Sequence, residues 1–455
     1  MDWSGRHRHS DTMIPPPRSR DPVSRRQFLR RVLTAAPVLL GVSCTRYQTH
    51  DSTRPRLAFV NRGVTELIHP DGSGRRPLTF NVANQATWQP AAFFPDGRRI
   101  LLLSMEPRRD GPGRPFEDYY TQTPTHLWTF DLESGELIEV AHRDRMAVFY
   151  TPQLLLRDGR LLVQVVRGKV GQVFNMDLDG SDARPFTHEG EGLPYGFSAS
   201  PDGRRIAFHL ASPRGYEIWT SDPWGRDRVR VAGDPGHLYF GPQWSPDGEW
   251  LAHADCIPLE DPGHDWCDIR VGRPDGREAR GITTGQAMWF AATYGNVRHH
   301  GGGSNVVAWT RDGRLLYPRR MPGSQVPWRF QPDRPDTDHF NRDFRPESAL
   351  GGTWIDRIDP RTGKSEAVTG PTEGTWDFRC SESEDGRWIS FCRATTGGLP
   401  SLWVQPATGG AAREIVADPD GTGVDHPRWL PHRGKPTGQR FRSASSASTP
   451  FNKLS

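Results

Sequence analysis

The chain has 455 residues, a formal net charge of +4, and 16 Trp and 21 Phe. Residues 1–43 hold eight Arg and three Asp, so the remainder of the chain is close to neutral and has no block of basic residues. This balance argues against a nucleic-acid-binding protein. The aromatic content is ample for a large hydrophobic core.

The first 44 residues predict an export leader. Ser24–Arg31 (SRRQFLRR) precede Val32–Ser43, an uncharged and mostly apolar run of 12 residues. A membrane-spanning helix needs about 20 residues, but the run suits the apolar region of a signal. The leader resembles the twin-arginine export motif, which implies an exported protein, periplasmic or membrane-anchored and facing the periplasm. Cys44 ends the run in LGVSC, which resembles a lipoprotein cleavage site. A lipid anchor at Cys44, cleavage nearby and a retained anchor all stay open, and residues 45–56 are expected to be a linker.

One hairpin unit recurs along the rest of the chain. In Tyr239–Ala254 (YFGPQWSPDGEWLAHA), two alternating strands flank Pro246-Asp247-Gly248. Pro presets φ, Asp caps the turn, and Gly accepts a positive φ, so this is a tight hairpin turn. The same Asp-Gly turn stands at Asp96-Gly97, Asp158-Gly159, Asp202-Gly203, Asp247-Gly248, Asp312-Gly313 and Asp385-Gly386. A unit that recurs at such intervals predicts a β-propeller.

A second series of turns alternates with the first and sets the number of units. Its members are Asp71-Gly72, Ser134-Gly135, Asp179-Gly180, Trp224-Gly225, Asp275-Gly276, Thr362-Gly363 and Gly409-Gly410. The first strand, from Leu57, has no preceding Asp-Gly turn, whereas residues 426–434 (HPRWLPHRG) are a weak copy of PQWSPDG. We therefore predict an all-β chain with a single seven-bladed β-propeller over residues 57–434. A C-terminal strand would complete blade 1 and close the ring.

Three segments carry a family resemblance: residues 242–254 (PQWSPDGEWLAHA), 198–210 (SASPDGRRIAFHL) and 91–103 (AAFFPDGRRILLL). They resemble the WD40-like (PD40) repeats of TolB-type β-propellers, over essentially residues 57–431. The same repeat occurs in propellers of prolyl-oligopeptidase-type peptidases and of oligogalacturonate lyases, so the resemblance implies a fold and leaves the function open. TolB itself has an α/β domain before its propeller, and the short segment 45–56 argues against a role in the Tol complex.

All long connections are expected on one face of the propeller, around the mouth of its channel. They are Met105–His126, the Cys256–Cys267 loop, Thr284–Ser304 and Pro318–Gly352, and they are rich in aromatic residues. Such connections usually carry function. We expect them to form a lid or wall over the channel mouth between blades 5 and 6.

A ring of residues at the start of the innermost strands forms the second candidate feature. Its members are Trp88, Tyr150, Tyr195, Tyr239, Trp376 and His426. Two interpretations stay open: core side chains wedged between blades, or a platform on which a sugar or peptide stacks. His237, Trp266 and Asn305 are further ligand-binding candidates on the same face.

Histidines on the long connections suggest one divalent metal ion. His299 and His300 precede three glycines, and they could bind an ion together with His339 or His264. Solvated or hydrogen-bonded histidines are the alternative. Adjacent histidines on a strand point to opposite faces, so both could bind one ion only in an irregular loop. Oligogalacturonate lyases have a histidine- and glutamine-ligated metal, but no stretch of this chain matches that ligand set.

Four cysteines follow Cys44 in two local pairs, Cys256 with Cys267 and Cys380 with Cys392. Disulfides and buried free thiols are both compatible with an exported protein. Residues 435–455 are polar and of low complexity, and we expect a disordered tail.

Two classes of function remain. The first is an exported, monomeric, non-catalytic TolB-like propeller that binds a protein or glycan ligand through the face with the long connections. The second is a polysaccharide lyase with a metal at the channel mouth and an Arg or His base, in which Arg298 or Arg329 would meet a uronate carboxylate. No Gly-x-Ser-x-Gly motif supports a peptidase or esterase.

Overall fold

The structure is a computed structural model. It describes residues 54–85, 87–106, 125–142, 151–167, 170–212, 215–256, 266–288, 291, 295–296, 299–300, 305–328, 345–418, 421 and 423–431. All of them lie within one unit of the chain, residues 46–455. Apart from a single 3-10 turn at Pro346–Ser348, the regular elements of the described part are β-strands. The predicted all-β class is confirmed.

The strands follow one another in antiparallel groups of four. After β1 (Leu57–Asn61), β2 (Val64–Ile68) and β3 (Arg76–Pro77), the first two full groups are β4 (Thr87–Phe93), β5 (Arg99–Met105), β6 (Thr125–Asp131) and β7 (Leu137–His142), then β8 (Thr151–Leu155), β9 (Leu161–Arg167), β10 (Val170–Met176) and β11 (Arg184–Pro185). The next two are β12 (Leu193–Ala199), β13 (Ile206–Ser212), β14 (Gly215–Ser221) and β15 (Val229–Ala232), then β16 (Leu238–Trp244), β17 (Leu251–Cys256), β18 (Asp268–Gly272) and β19 (Arg280–Gly281).

The remaining strands continue this pattern around one small hairpin, β20 (Gly295–Asn296) with β21 (His299–His300). The last two groups are β22 (Ala308–Trp309), β23 (Leu315–Arg320), β24 (Thr353–Ile358) and β25 (Ser365–Ala367), then β26 (Thr375–Glu382), β27 (Trp388–Thr395), β28 (Ser401–Pro406) and β29 (Arg413–Val416). The last strand is β30 (Val424–Trp429).

β30 lies beside the first strand of the chain. It pairs antiparallel with β1, with Leu57 opposite Trp429 and Asn61 opposite Val424. A fourth strand is thereby added to β1, β2 and β3 from the far end of the sequence. The third strand of one group also meets the first strand of the next through a parallel bridge, as between Tyr216 of β14 and Leu238 of β16.

The hairpin turns have the geometry that the sequence predicts. Gly248 has a φ of 74°, and the Asp247 carboxylate accepts a hydrogen bond from the Glu249 amide at 3.0 Å. Ser245 adds a contact that the sequence reasoning missed: its hydroxyl donates to Asp247 at 2.5 Å and accepts from the Trp250 amide at 2.9 Å. The same arrangement recurs at Ser200 with Asp202 and at Ser383 with Asp385.

The core lies between neighbouring groups, because each group packs both of its faces. Strands in the middle of a group are therefore apolar almost throughout; in β5, the residues from Ile100 to Met105 are all buried. Between the second and third full groups, Phe186 packs edge-to-face against Phe208, with their ring centroids 5.5 Å apart. Burial of this kind supplies most of the stability of a sheet protein.

The four described cysteines are buried free thiols, so the structure has free thiols and not disulfides at these positions. Cys256 follows Asp255, which is paired with Asp268, and Cys267 precedes Asp268 on the neighbouring strand. These two cysteines are thus cross-strand neighbours. Cys380 and Cys392 belong to different core clusters, and Cys392 is paired with Phe378, so the two cysteines do not face each other across their hairpin.

Candidate functional site

Four inner strands share a bulge with a left-handed residue. In β12, β16, β26 and β30 two residues face one on the neighbouring strand. The first residue of each bulge has a positive φ, at 59° for Gly196, 54° for Gly241, 53° for Arg379 and 53° for His426. Glycine accepts this conformation freely, whereas Arg and His are strained in it. Strained non-glycine residues cluster at functional sites, which directs attention to Arg379 and His426.

Contacts link the bulges from strand to strand. A Cβ atom built on Gly196 would lie 3.3 Å from the Cα atom of Gly241, and one on Gly241 would lie 3.3 Å from Val306. The Arg379 amide donates a hydrogen bond to the Asn305 side-chain oxygen at 3.0 Å. The bulges therefore adjoin one another along the inner edges of successive groups.

The polar end of this row is called the inner-edge cluster: Asn305, Arg379, Asp425, His426 and Arg428. The Arg379 guanidinium forms an ion pair with Asp425 and lies 3.0 Å from Nδ1 of His426. Arg379 is 8% exposed at its side chain, whereas His426 is 53% exposed. The cluster thus has a buried ion pair beside an open imidazole.

The positive charge of Arg379 lowers the pKa values of its neighbours in the cluster. Its positive charge, followed by desolvation, lowers the pKa of His426 to about 4, so the imidazole is neutral at pH 7. Desolvation, followed by the positive charge of Arg379, lowers the pKa of Arg428. Arg428 is nevertheless exposed to solvent. Arg428 has no hydrogen bond or ion pair with another residue in the described part of the chain, and it is the one charge of the cluster without a counter-charge there.

A second polar grouping lies where β16 begins. Nδ1 of His237 is 2.7 Å from the Asp255 carboxylate, whose other oxygen accepts from Arg270 at 3.1 Å. Asp255 is 4% exposed and His237 is 24% exposed at the side chain. Burial, followed by the hydrogen bond to Asp234, raises the pKa of Tyr239 beside His237. The grouping holds a half-buried imidazole in a fixed orientation.

The residues predicted to form a ring around the channel mouth are divided between the core and the surface. Trp88, Tyr239 and Trp376 are at most 3% exposed, so their faces are covered by protein. Trp266 is 4% exposed and stacks on Trp376 at 6.5 Å. Tyr195 is half-buried against His209 at 5.4 Å. Trp88, Tyr239, Trp266 and Trp376 therefore lie in the core, whereas Tyr195 is partly open to solvent.

Several predicted site residues cannot be placed. Tyr150, His264, Arg298, Arg329 and His339 lie outside the described residues. His299 and His300 are described only as backbone, in β21. Within the described ranges, no group of three or more His, Cys, Asp or Glu side chains could hold a metal ion. Within the same ranges, no helix has the length and hydropathy that a membrane span requires.

Arg379, Asp425 and Arg428 were missed by the sequence reasoning, although a signal existed. Gly196 and Gly241 each stand six residues before the turn Asp of their hairpin, and Arg379 stands six residues before Asp385. A charged residue in the place of a glycine marks this position.

Comparison with known proteins finds likeness in structure alone. No family model matches, and no curated protein matches. Among solved structures, a prolyl endopeptidase matches with a TM-score of 0.51 at 10% identity, over 80% of this chain and 50% of that chain. The β-propeller domain of the Trilobed protease from Pyrococcus furiosus matches with a TM-score of 0.46 at 11% identity, over 81% of this chain and 97% of that one.

TolB from Acinetobacter baumannii matches with a TM-score of 0.38 at 13% identity, over 73% of this chain and 83% of that chain. With its repeating groups of four antiparallel strands, the chain has the fold of a β-propeller. At these identities the likeness concerns the fold alone.

Proposed function

We propose that this is an exported, non-catalytic β-propeller that binds a protein or glycan ligand through one face. In this proposal the groups of four strands are seven blades, and β30 closes the ring by completing the blade of β1. The leader, residues 1–44, directs the chain to the periplasm, and the folded protein is a monomer.

The observation that carries the proposal is the unequal length of the connections at the two ends of the strands. β4 and β5 are joined by residues 94–98, and β16 and β17 by residues 245–250. In contrast, residues 106–124 join β5 to β6, residues 257–267 join β17 to β18, and residues 321–352 join β23 to β24. Successive connections of antiparallel strands alternate between ends, so the long ones share one end. We call this end the insertion-bearing face, and long loops on a rigid scaffold are the usual site of binding.

Glycan arrays and a panel of purified envelope proteins test the proposal. A ligand found for the wild type should bind about tenfold or more weakly when residues 331–341 are replaced by a Gly-Ser linker of equal length. Arg204→Gln and Arg277→Gln, on short turns where these side chains are 86% and 78% exposed, serve as controls and should bind normally. Binding that depends on the short turns, or turnover of a bound glycan, would contradict the proposal.

One observation favours the lyase alternative, namely the pairing of His237 with Asp255. A carboxylate that fixes one ring nitrogen of a half-exposed histidine is the arrangement of a general base. The described residues offer no metal ligand set, so no step is assigned to a metal ion.

Incubation with acidic oligosaccharides, followed by chromatography for unsaturated products, tests the alternative. His237→Gln should then abolish turnover and leave binding intact, whereas His188→Gln, at an exposed position, should change neither. Elemental analysis of protein from an exporting host reports a bound metal independently. Absence of product with wild-type protein would rule out this activity on the oligosaccharides tested.

A further inference from the structure

The inner-edge cluster carries a single uncompensated positive charge. Arg379 and Asp425 neutralise each other in their ion pair. His426 lies against the Arg379 guanidinium and is exposed to solvent. Arg428 is exposed and has no ion pair or hydrogen bond with another described residue. An exposed guanidinium beside a neutral pair can accept one negative charge without competition from a neighbouring carboxylate.

Asn305 provides an independent sign of a missing partner. A backbone amide can only donate, so the contact with the Arg379 amide identifies the side-chain oxygen of Asn305 and leaves its NH₂ group as a donor. That nitrogen is buried in a residue only 7% exposed, and it has no hydrogen-bond partner among the described residues. A buried donor without a partner costs about 1–3 kcal/mol. Such a cost is typical of a site that a ligand or a bound water completes.

We propose that the inner-edge cluster binds a small sugar acid, with Arg428 holding the carboxylate and His426 and Asn305 offering hydrogen bonds to hydroxyl groups. This rests on the proposed function and names the chemistry of its ligand. Guanidinium and carboxylate form paired, charge-assisted hydrogen bonds, which fix the orientation of the acid. A neutral imidazole can donate to and accept from a hydroxyl group, and the NH₂ group of Asn305 can donate to a hydroxyl oxygen.

The charge of the cluster favours a carboxylate over a phosphate. One negative charge on the ligand balances the positive charge of Arg428, whereas a doubly charged phosphate would leave an excess negative charge beside the Asp425 carboxylate. Like charges at short range disfavour binding. The cluster is therefore expected to prefer a monoanion.

Saturation-transfer NMR and titration with glucuronate, glucose, glucose 6-phosphate and N-acetylglycine test the proposal on the full protein. Glucuronate should bind, and glucose and glucose 6-phosphate should bind markedly less. Arg428→Gln should weaken glucuronate about tenfold or more, whereas Arg204→Gln, at a side chain 86% exposed, should not. Asn305→Leu should also weaken binding, and an unfolding midpoint equal to that of the wild type shows that each variant is folded.

Equal binding of glucose and glucuronate, or unchanged binding by Arg428→Gln, would overturn the proposal. N-acetylglycine bound as tightly as glucuronate would assign the carboxylate to a peptide and overturn the sugar assignment. A glycan or protein from the arrays that binds Arg428→Gln normally would leave the proposed function standing and remove this site. If glucuronate binds to the inner-edge cluster but no ligand is found for the insertion-bearing face, this site would stand and the proposed function would fall.

Discussion

His253 occupies a position that phenylalanine fills in three other groups. It faces the bulge of β16, and the residues that face the bulges of β12, β26 and β30 are Phe208, Phe391 and Phe59. His253 is 1% exposed, and neither ring nitrogen has a hydrogen-bond partner among the described residues. Desolvation, with a smaller effect of Arg270, lowers its pKa to about 3.

This placement predicts an acid-sensitive fold. The folded-state pKa of His253 is below its usual value of 6.5, so below pH 6.5 the unfolded chain binds a proton that the folded chain does not. The stability that depends on a neutral His253 is fully present above pH 6.5. It is lost as the pH falls towards 3, and the free energy of unfolding decreases by about 1.4 kcal/mol per pH unit. In urea unfolding at pH 7.5 and pH 5.0, His253→Phe should reduce the difference between the two by about 2 kcal/mol.

The same variant should raise the free energy of unfolding at pH 7.5 by about 1–3 kcal/mol, because it removes two buried, unpartnered nitrogen atoms. His188→Gln, at an exposed position, should keep the wild-type difference between the two pH values. A less stable His253→Phe with an unchanged pH dependence would show that the imidazole has partners beyond the described residues.

At the scale of single residues, the sequence identified candidate positions better than it identified their roles. Asn305 and His426 were named as ligand-binding candidates and lie together in the inner-edge cluster. Trp88 and Trp376 look the same in sequence as exposed stacking residues, and only the packing of neighbouring groups shows that they are buried. Burial depends on strands distant in the chain, so no local pattern could decide it.

The hairpin turn is the element that repeats most faithfully, and its Ser or Thr explains why. Ser245 satisfies the Trp250 amide and supports the Asp247 carboxylate. Thr310 makes the corresponding contacts with Asp312 and the Arg314 amide, at 2.5 Å and 3.0 Å. The turns could be predicted from sequence because all their contacts lie within six residues.

Ser245→Ala should lower the free energy of unfolding by about 1 kcal/mol, as the loss of one side-chain cap usually does. Urea unfolding at pH 7.5 measures the change. Ser245→Thr should restore most of the stability, because Thr310 occupies the matching place in another turn. An Ala variant as stable as the wild type would mean that water replaces the hydroxyl.

At the scale of the whole molecule, the pairing of β1 with β30 joins the two ends of the described fold. Leu57 and Phe59 of β1 are fully buried, with β30 on one side and β2 on the other. The weak copy of the hairpin motif at residues 426–434 was enough to predict a strand there. The lengths of β22 and β25 could not be predicted, because tertiary contacts set where a strand ends.

Truncation after Gly423 removes β30 and tests the importance of this pairing. The loss of the ladder and of the cover over Leu57 and Phe59 should lower the unfolding midpoint by roughly 10 °C or abolish the cooperative transition. Truncation after Pro431 keeps β30 and serves as the control, which should melt as the wild type does. Equal melting of both shortened chains would show that β1 is stable without β30.

The pairing of Leu57 with Trp429 also sets the order of events during synthesis. β1 is among the first strands to leave the ribosome, and β30 leaves after every other described strand. Throughout translation, the inner edge of β1 is therefore an unpaired strand edge, open to a wrong partner. Contacts so distant in sequence also form slowly. Newly made chains are thus most prone to aggregate just before β30 emerges, when nearly all of the apolar surface of the described strands has been made and the partner of β1 is still missing.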